Sequence, residues 1–305
     1  MTNRILIVWM GMLFSCQSLL HAQSIGLTTE NDAYLLKTED AYYTNGLFLH
    51  YSYAKSGKSG SRQIHQFLLG QKIFTPLLRN TQTPADIDRP YAGYSFAQYS
   101  QTRFLGERSV FQWAGILGII GPASGGEGLQ NTYHRWLNYA RFKGWRYQIN
   151  NQLVLNAAAL YGYHMVNKQG FKGILISEAQ LGTGFVNAAL GTKWVAGKLI
   201  ASKHSQLWNA ALEPKLNNKK EFYFYWYPKI TWQGYNATIS GGSKIAADSS
   251  VRRTPESFVF QHTIGLAYSA GRWAAQLELV HQSRETLEQF KKHRYLGLQI
   301  QYRIH

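Results

Sequence analysis

The chain has 305 residues, a formal net charge of +16, a single cysteine, and an aromatic content of 14% that includes 20 Tyr and 9 Trp. One cysteine excludes a disulfide scaffold and a cysteine-built metal site. No stretch approaches the roughly 20 consecutive apolar residues of a membrane-spanning helix, which excludes a helical membrane protein. Rings at this density suit the interfacial girdles of a transmembrane β-barrel, the plainer alternative being a large exported β-sandwich. In an exported chain the positive excess matches anionic lipid head groups, with no nucleic acid as partner.

At the N-terminus, Arg4 precedes the apolar run Ile5 to Phe14, and Ala22 supplies a small residue at a cleavage position. Residues 1–22 therefore read as a signal peptide for export to the outer membrane. Cys16 lies inside it, and bulky Phe14 argues against a lipoprotein site. Residues 23–305 read as one barrel domain, since no repeat, linker or low-complexity tract divides them. Strands are expected at about 24–35, 42–54, 62–74, 93–104, 108–120, 146–165, 172–182, 184–199, 220–234, 256–269, 272–283 and 294–304. The fold class is thus all-β, a twelve-stranded antiparallel transmembrane β-barrel, even-numbered as closure requires.

The alternation is clear in two places. Leu47, Leu49, Tyr51 and Tyr53 form one face of the second strand, so Thr44, Gly46, His50 and Ser52 are expected in the lumen. In the last strand Leu296, Leu298, Ile300, Tyr302 and Ile304 face out, with Gly297, Gln299, Gln301 and Arg303 facing in. Tight turns at 56–60, 105–107 and 269–272 fall on one side, and longer loops at 75–91, 121–145, 235–255 and 284–293 on the other. The connection 200–219, with Trp208 and Pro214, breaks this asymmetry.

In the loop 121–145, Ser124 and Glu127 have the spacing of a capping box, and a helix of about three turns should follow. Leu129, Tyr133, Trp136 and Leu137 form an apolar stripe that would fold this short helix of an extracellular loop into the barrel mouth. Gln130 and His134, four apart, share a face and address one point. An imidazole near neutrality suits a general base, so His134 is the candidate, although a loop histidine packed beside Trp136 has the same sequence signature. On the first strand, Glu30, Asp32 and Tyr34 share parity and are expected to face the lumen near Thr44. Such oxygen donors invite Ca2+, with Asp32 and Thr44 as metal candidates. Asn31 falls on the opposite face, so joining it to that site needs a bulge or twist.

Taken together, Glu30-Asn31-Asp32, Tyr43 to Gly46, Asp88 to Gly93, Gly121 to Ser124 leading to Gln130 and His134, Lys143 to Trp145 with Gln148, and Arg284-Glu285 before His293 to Tyr295 resemble the outer-membrane lipid A 3′-O-deacylase family. The resemblance implies a lipid A or lipopolysaccharide substrate and an active site at the outer-leaflet end. It further implies a Ca2+ ion holding the ester carbonyl, a histidine activating water, and Asn31, Asp32, Thr44, Gln130 and His134 as site residues. Glu127, Lys143 and Arg89 are weaker candidates, and Arg89, Lys143, Arg252 and Arg253 are candidate partners for lipid phosphates. Two rivals stand beside it. His281 and Ser283 have the His-x-Ser spacing of an outer-membrane phospholipase-type serine hydrolase, although Arg284 stands where that class continues with Asn. A non-enzymatic barrel pore needs neither His134 nor a helix to carry it.

Overall fold

The computed structural model describes residues 22–35, 41–57, 61–79, 81, 83–136, 142–212, 219–242 and 250–304. The signal-peptide reading, Cys16 and Leu137 lie outside these residues, apart from Ala22. Twelve antiparallel strands form a closed barrel in which each pairs with its sequence neighbours and the last closes on the first. They are β1 (Gln23–Asn31), β2 (Tyr42–Ser56), β3 (Arg62–Thr75), β4 (Ala92–Leu105), β5 (Ser109–Ile120), β6 (Gln152–Lys168), β7 (Phe171–Gly182), β8 (Phe185–Lys198), β9 (Glu221–Asn236), β10 (Phe258–Ala270), β11 (Trp273–Gln282) and β12 (His293–Arg303). Closure leaves no sheet edge, so the strand ladders satisfy their backbone polar groups without water except where the register shifts at bulges.

Alternation builds the wall. Leu69 on β3 is 60% exposed and Leu49 on β2 is 55% exposed. Inward partners such as Tyr43, Phe74, Tyr94, Ile120 and Val154 pack a buried cluster inside the barrel. Deeper in the lumen, Glu178 receives hydrogen bonds from Tyr227 and Lys229. Glu278 receives them from Tyr225 and Gln276.

Two strand boundaries differ from expectation by four residues or more. β1 stops at Asn31 because the Asn31 side chain accepts a hydrogen bond from the Ala33 backbone and turns the chain into a short 3-10 helix, Ala33–Leu35. β6 starts at Gln152 because Gly144–Tyr147 forms a 3-10 turn that drives Trp145 into a cluster with Ile73, Ile87, Tyr91 and Phe142.

The irregular connection around 200–219 is a plug. Its described part reaches elements around the whole ring. Arg62 on β3 and Arg303 on β12 donate to the Ala210 and Ala211 carbonyls, Gln206 donates to Gln301, and Trp208 packs over Gly162 on β6. Glu221, fully buried, takes hydrogen bonds from Ser205 Oγ and from the backbone of Gln206 and Ile200. A segment that touches β3, β6, β9 and β12 must cross the lumen, and it does so at the end that carries Gln23 and Arg303.

Candidate functional site

At the opposite end, paired residues share a face, and one row across four strands carries the outward parity. Asn31 pairs with Asn45, Asn45 with Ile73, and Ile73 with Gly93. On β3 this row continues the outward set Phe67 and Leu69, and on β1 it continues Ile25 and Leu27. The next row, Glu30, Gly46, Lys72 and Tyr94, faces the lumen. The strand face therefore separates Glu30, whose carboxylate accepts from the Tyr43 hydroxyl, from its neighbour Asn31.

The loop helix, α1 (Gly126–Trp136), lies against the outer face of this wall. Its entry is fixed by Gln71 and Ser95, both outward residues, which donate to the Ser124 carbonyl at 2.8 and 2.7 Å. Gly93 allows the approach. A Cβ there would stand 2.9 Å from the Gly126 Cα and 2.2 Å from Ser124 Oγ. Seating the helix outside the wall overturns the expectation that it folds into the barrel mouth. Only half of the capping box is seen: Ser124 Oγ accepts from the Gly126 backbone at 3.4 Å while donating to the Gly121 carbonyl, but the Ser124 backbone donates to Gly121, and Glu127, exposed, accepts from Gln148.

The helix presents Gly126, Gln130 and His134 as its buried face, with Gln130 5% and His134 2% exposed. The apolar stripe points the other way, Leu129 and Tyr133 each 38% and Trp136 80% exposed. Trp145 Nε1 donates to Gln130 Oε1 at 2.9 Å. Since indole is a donor only, this contact leaves the amide NH2 of Gln130 as the end that donates. The His134 ring sits 5.3 Å from that of Phe142, centroid to centroid.

Thr44 is the extra residue of a β-bulge, between Tyr43 opposite Phe74 and Asn45 opposite Ile73. The bulge breaks the alternation that carries Thr44 into the lumen. Its hydroxyl donates to the Ile73 carbonyl at 3.2 Å, and it is 1% exposed. Just before it, buried Tyr42 adopts a left-handed φ of 66°, a conformation that costs a bulky residue about 1–3 kcal/mol and concentrates at functional sites. The Tyr42 hydroxyl is tied to Asp88 at 2.7 Å. Asp32 lies one residue beyond the end of β1, 5% exposed, its Oδ2 accepting from the Ala41 backbone at 2.8 Å. It does not share a lumen face with Glu30, and neither does Tyr34, which is half exposed and bonded to Thr29.

The structure thus gathers two groups at one end of the barrel. Asn31, Asp32 and Thr44 sit at adjacent ends of β1 and β2. Gln130 and His134 sit on the helix beside β3 and β4. Ile73 links them, receiving Thr44 on its carbonyl and packing its side chain with Trp145, the partner of Gln130. Among the described residues no three His, Cys, Asp or Glu side chains form a metal cluster. The one carboxylate, one hydroxyl and one amide of the first group are hard oxygen donors, which fit Ca2+ completed by backbone, water or substrate oxygens.

The basic candidates divide. Arg89 is fully buried, bonded to Glu285 at 3.1 Å and to Thr238, with its guanidinium 3.9 Å over the Phe74 ring. Burial pulls its pKa below the usual guanidinium value while Glu285 opposes the shift. Arg253 is spent on the Ile87 and Pro84 carbonyls. Both knit the loops together. Sequence reasoning missed Asp88 as the centre of that knot: it accepts from Tyr42, Leu77 and Phe290, and only its place in the run Asp88 to Gly93 marked it. The rival pair does not assemble. Ser283 accepts from the Phe260 backbone, and His281 Nδ1 accepts from Arg294.

Among solved structures, LpxR from Salmonella typhimurium matches with a TM-score of 0.76 at 18% identity, covering 92% of this chain and 100% of that one. The β domain of the Bordetella autotransporter BrkA matches with a TM-score of 0.48 at 9% identity, over 92% and 98% of the two chains. The KdgM porin in complex with disordered oligogalacturonate gives 0.42 at 8% identity, over 92% and 99%. No curated protein matches the sequence. The family model described as outer membrane protein LpxR matches residues 6–304, so the chain belongs to the LpxR family, the outer-membrane lipid A 3′-O-deacylases whose motifs its sequence carries.

Proposed function

We propose that this barrel hydrolyses an acyl ester of lipid A at the outer leaflet, with His134 as general base and Ca2+ as cofactor. The observation that carries the reading is the orientation of α1, whose buried polar face meets the outer wall of the barrel and whose apolar stripe turns away. A lumen pore has no use for that arrangement.

In this reading the helical end of the barrel is extracellular. His134 takes a proton from water, and the water oxygen attacks the ester carbonyl. The sugar oxygen then leaves as an alcohol, taking the proton back, and the acyl chain departs as a free fatty acid. Gln130, fixed by Trp145, directs its amide NH2 to the water or carbonyl oxygen. Asn31 and Thr44 position the same groups from the strand side. Ca2+ held by Asp32 with Thr44 would polarise the carbonyl and offset the charge that develops on its oxygen. Phe142 and Trp145 exclude bulk water from the imidazole.

The test is mass spectrometry of lipid A from cells expressing the intact protein or His134→Ala, with and without a chelator. Loss of one acyl chain only with intact protein and available Ca2+ supports the reading. Hydrolysis by His134→Ala, with the barrel folded, refutes the base, and full activity in excess chelator refutes the metal.

A further inference from the structure

A polar cavity opens on the far side of Asp32 from the helix. It encloses about 370 Å³ and is lined by Asp32, His281, Lys291, Lys292, His293 and Arg294, together with the chain around Ala41 and Tyr42. Its floor belongs to the outer face of the wall. Arg294 pairs with His281, and both continue the outward sets Leu296, Leu298 and Ile300 on β12 and Trp273, Leu277 and Leu279 on β11. Asp32 thus stands between α1, over β3 and β4, and this cationic cavity, over β11 and β12.

The charges are arranged for an anion. Arg294 uses Nε to bond His281 Nδ1 at 2.7 Å, and among the described residues its two terminal guanidinium nitrogens have no acceptor. Lys292 is exposed and has no ion-pair partner among them. Asp32 is the only carboxylate in the lining, against Lys291, Lys292 and Arg294. A guanidinium fork and an ammonium flanking one cavity match the oxygens of a phosphate monoester. Lipid A is a phosphorylated, acylated disaccharide, so an ester seated by Asp32 and His134 brings a sugar phosphate with it on the same face of the wall.

We infer that Lys292 and Arg294 form a phosphate subsite that orients the substrate by the phosphate on the sugar bearing the cleaved ester. The inference rests on the deacylase reading for its substrate. It replaces the loop arginines Arg89 and Arg253, which are bonded into the loop knot, as the source of phosphate recognition. One charge-assisted contact of this kind is worth about 10- to 100-fold in discrimination.

The test compares lipid A with its enzymatically dephosphorylated form, using purified protein in detergent, for the intact chain, Lys292→Gln/Arg294→Gln and Lys292→Arg. Hydrolysis and equilibrium binding are both measured. The intact protein is expected to prefer the phosphorylated lipid at least about 10-fold in kcat/KM, carried mainly by KM. The double variant should lose that preference while keeping its rate on the dephosphorylated lipid, and Lys292→Arg should keep the preference. Equal treatment of the two lipids by intact protein, or retained preference in the double variant, overturns the subsite. If intact protein hydrolyses neither lipid, the deacylase reading fails and binding decides the subsite alone: selective binding lost in the double variant supports it, and equal binding overturns it.

Discussion

Gly93→Ala tests whether the seat of α1 on the outer wall governs activity. A methyl at this position would stand 2.2 Å from Ser124 Oγ, 2.9 Å from the Gly126 Cα and 3.1 Å from the Gly126 nitrogen. Ser124 Oγ has little room to yield, because it donates to the Gly121 carbonyl at 2.6 Å, and the Gly126 atoms are backbone. Ordinary contact at about 3.5–4.0 Å therefore requires the helix start to rise by roughly 0.5–1 Å. That rise strains the Gln71 and Ser95 bonds to the Ser124 carbonyl and carries Gln130 and His134 with it. A displacement of about 1 Å at a catalytic group costs up to about 100-fold in rate, so deacylation should fall by about 10- to 100-fold. The barrel should still fold, since Gly93 lies at the rim and the strand pairing below it is untouched. The control is Gly128→Ala on the same helix, where a Cβ meets nothing within 4 Å and the helix gains up to about 1 kcal/mol. Rates from purified protein in detergent, with the gel shift of unheated barrel as the folding check, decide the matter. A fully active Gly93→Ala, or equal losses in both variants, would refute the reasoning.

Three further outcomes follow from the geometry. Arg89→Leu leaves Glu285 without its 3.1 Å partner and removes the cation over Phe74. It should destabilise the loop knot by about 3 kcal/mol, seen as a lower urea midpoint that Glu285→Leu partly restores in the double variant. Glu221→Ala removes the acceptor for Ser205, Gln206 and Ile200 and should loosen the plug, so planar bilayers should show conductance steps absent from the intact protein; silent bilayers would argue that other contacts close the lumen. Trp136, 80% exposed on the lipid side of α1, should be quenched by brominated acyl chains. Trp136→Phe should therefore lower the quenched fraction, and an unchanged fraction would place the stripe in water.

The strands were legible because a membrane wall imposes alternation on every segment. The run from Leu296 to Ile304 contains little else, and β12 appears within a residue of its expected place. The site was less legible at Thr44. Extending period 2 from Leu47 back through Thr44 assumes an unbroken ladder, and the bulge between Tyr43 and Asn45 has no signal of its own in the side chains. The end of β1 carried a signal that alternation overrode. Asn31 followed by Asp32 is a turn-forming pair, and weighting it would have stopped the strand before Asp32 and Tyr34. The plug was invisible for a different reason: its contacts join Arg62, Glu221 and Arg303 across the lumen, and no local pattern encodes a pairing at that sequence distance.

The helix was found but turned the wrong way, and the cause lies in the solvent assumed for it. In water, the stripe Leu129, Tyr133 and Trp136 is the face to bury, so the loop should tuck into the barrel. Outside a membrane barrel the neighbouring solvent is hydrocarbon, in which an apolar stripe is stable exposed and buried polar groups must be paired. Gln130 satisfies that rule through Trp145. The same physics that sends Leu49 and Leu69 outward on the strands sends Trp136 outward on the helix, and it leaves Gly126, Gln130 and His134 against the wall. The inverted helix thus follows from one condition, that it stands on the outer surface of a closed membrane barrel.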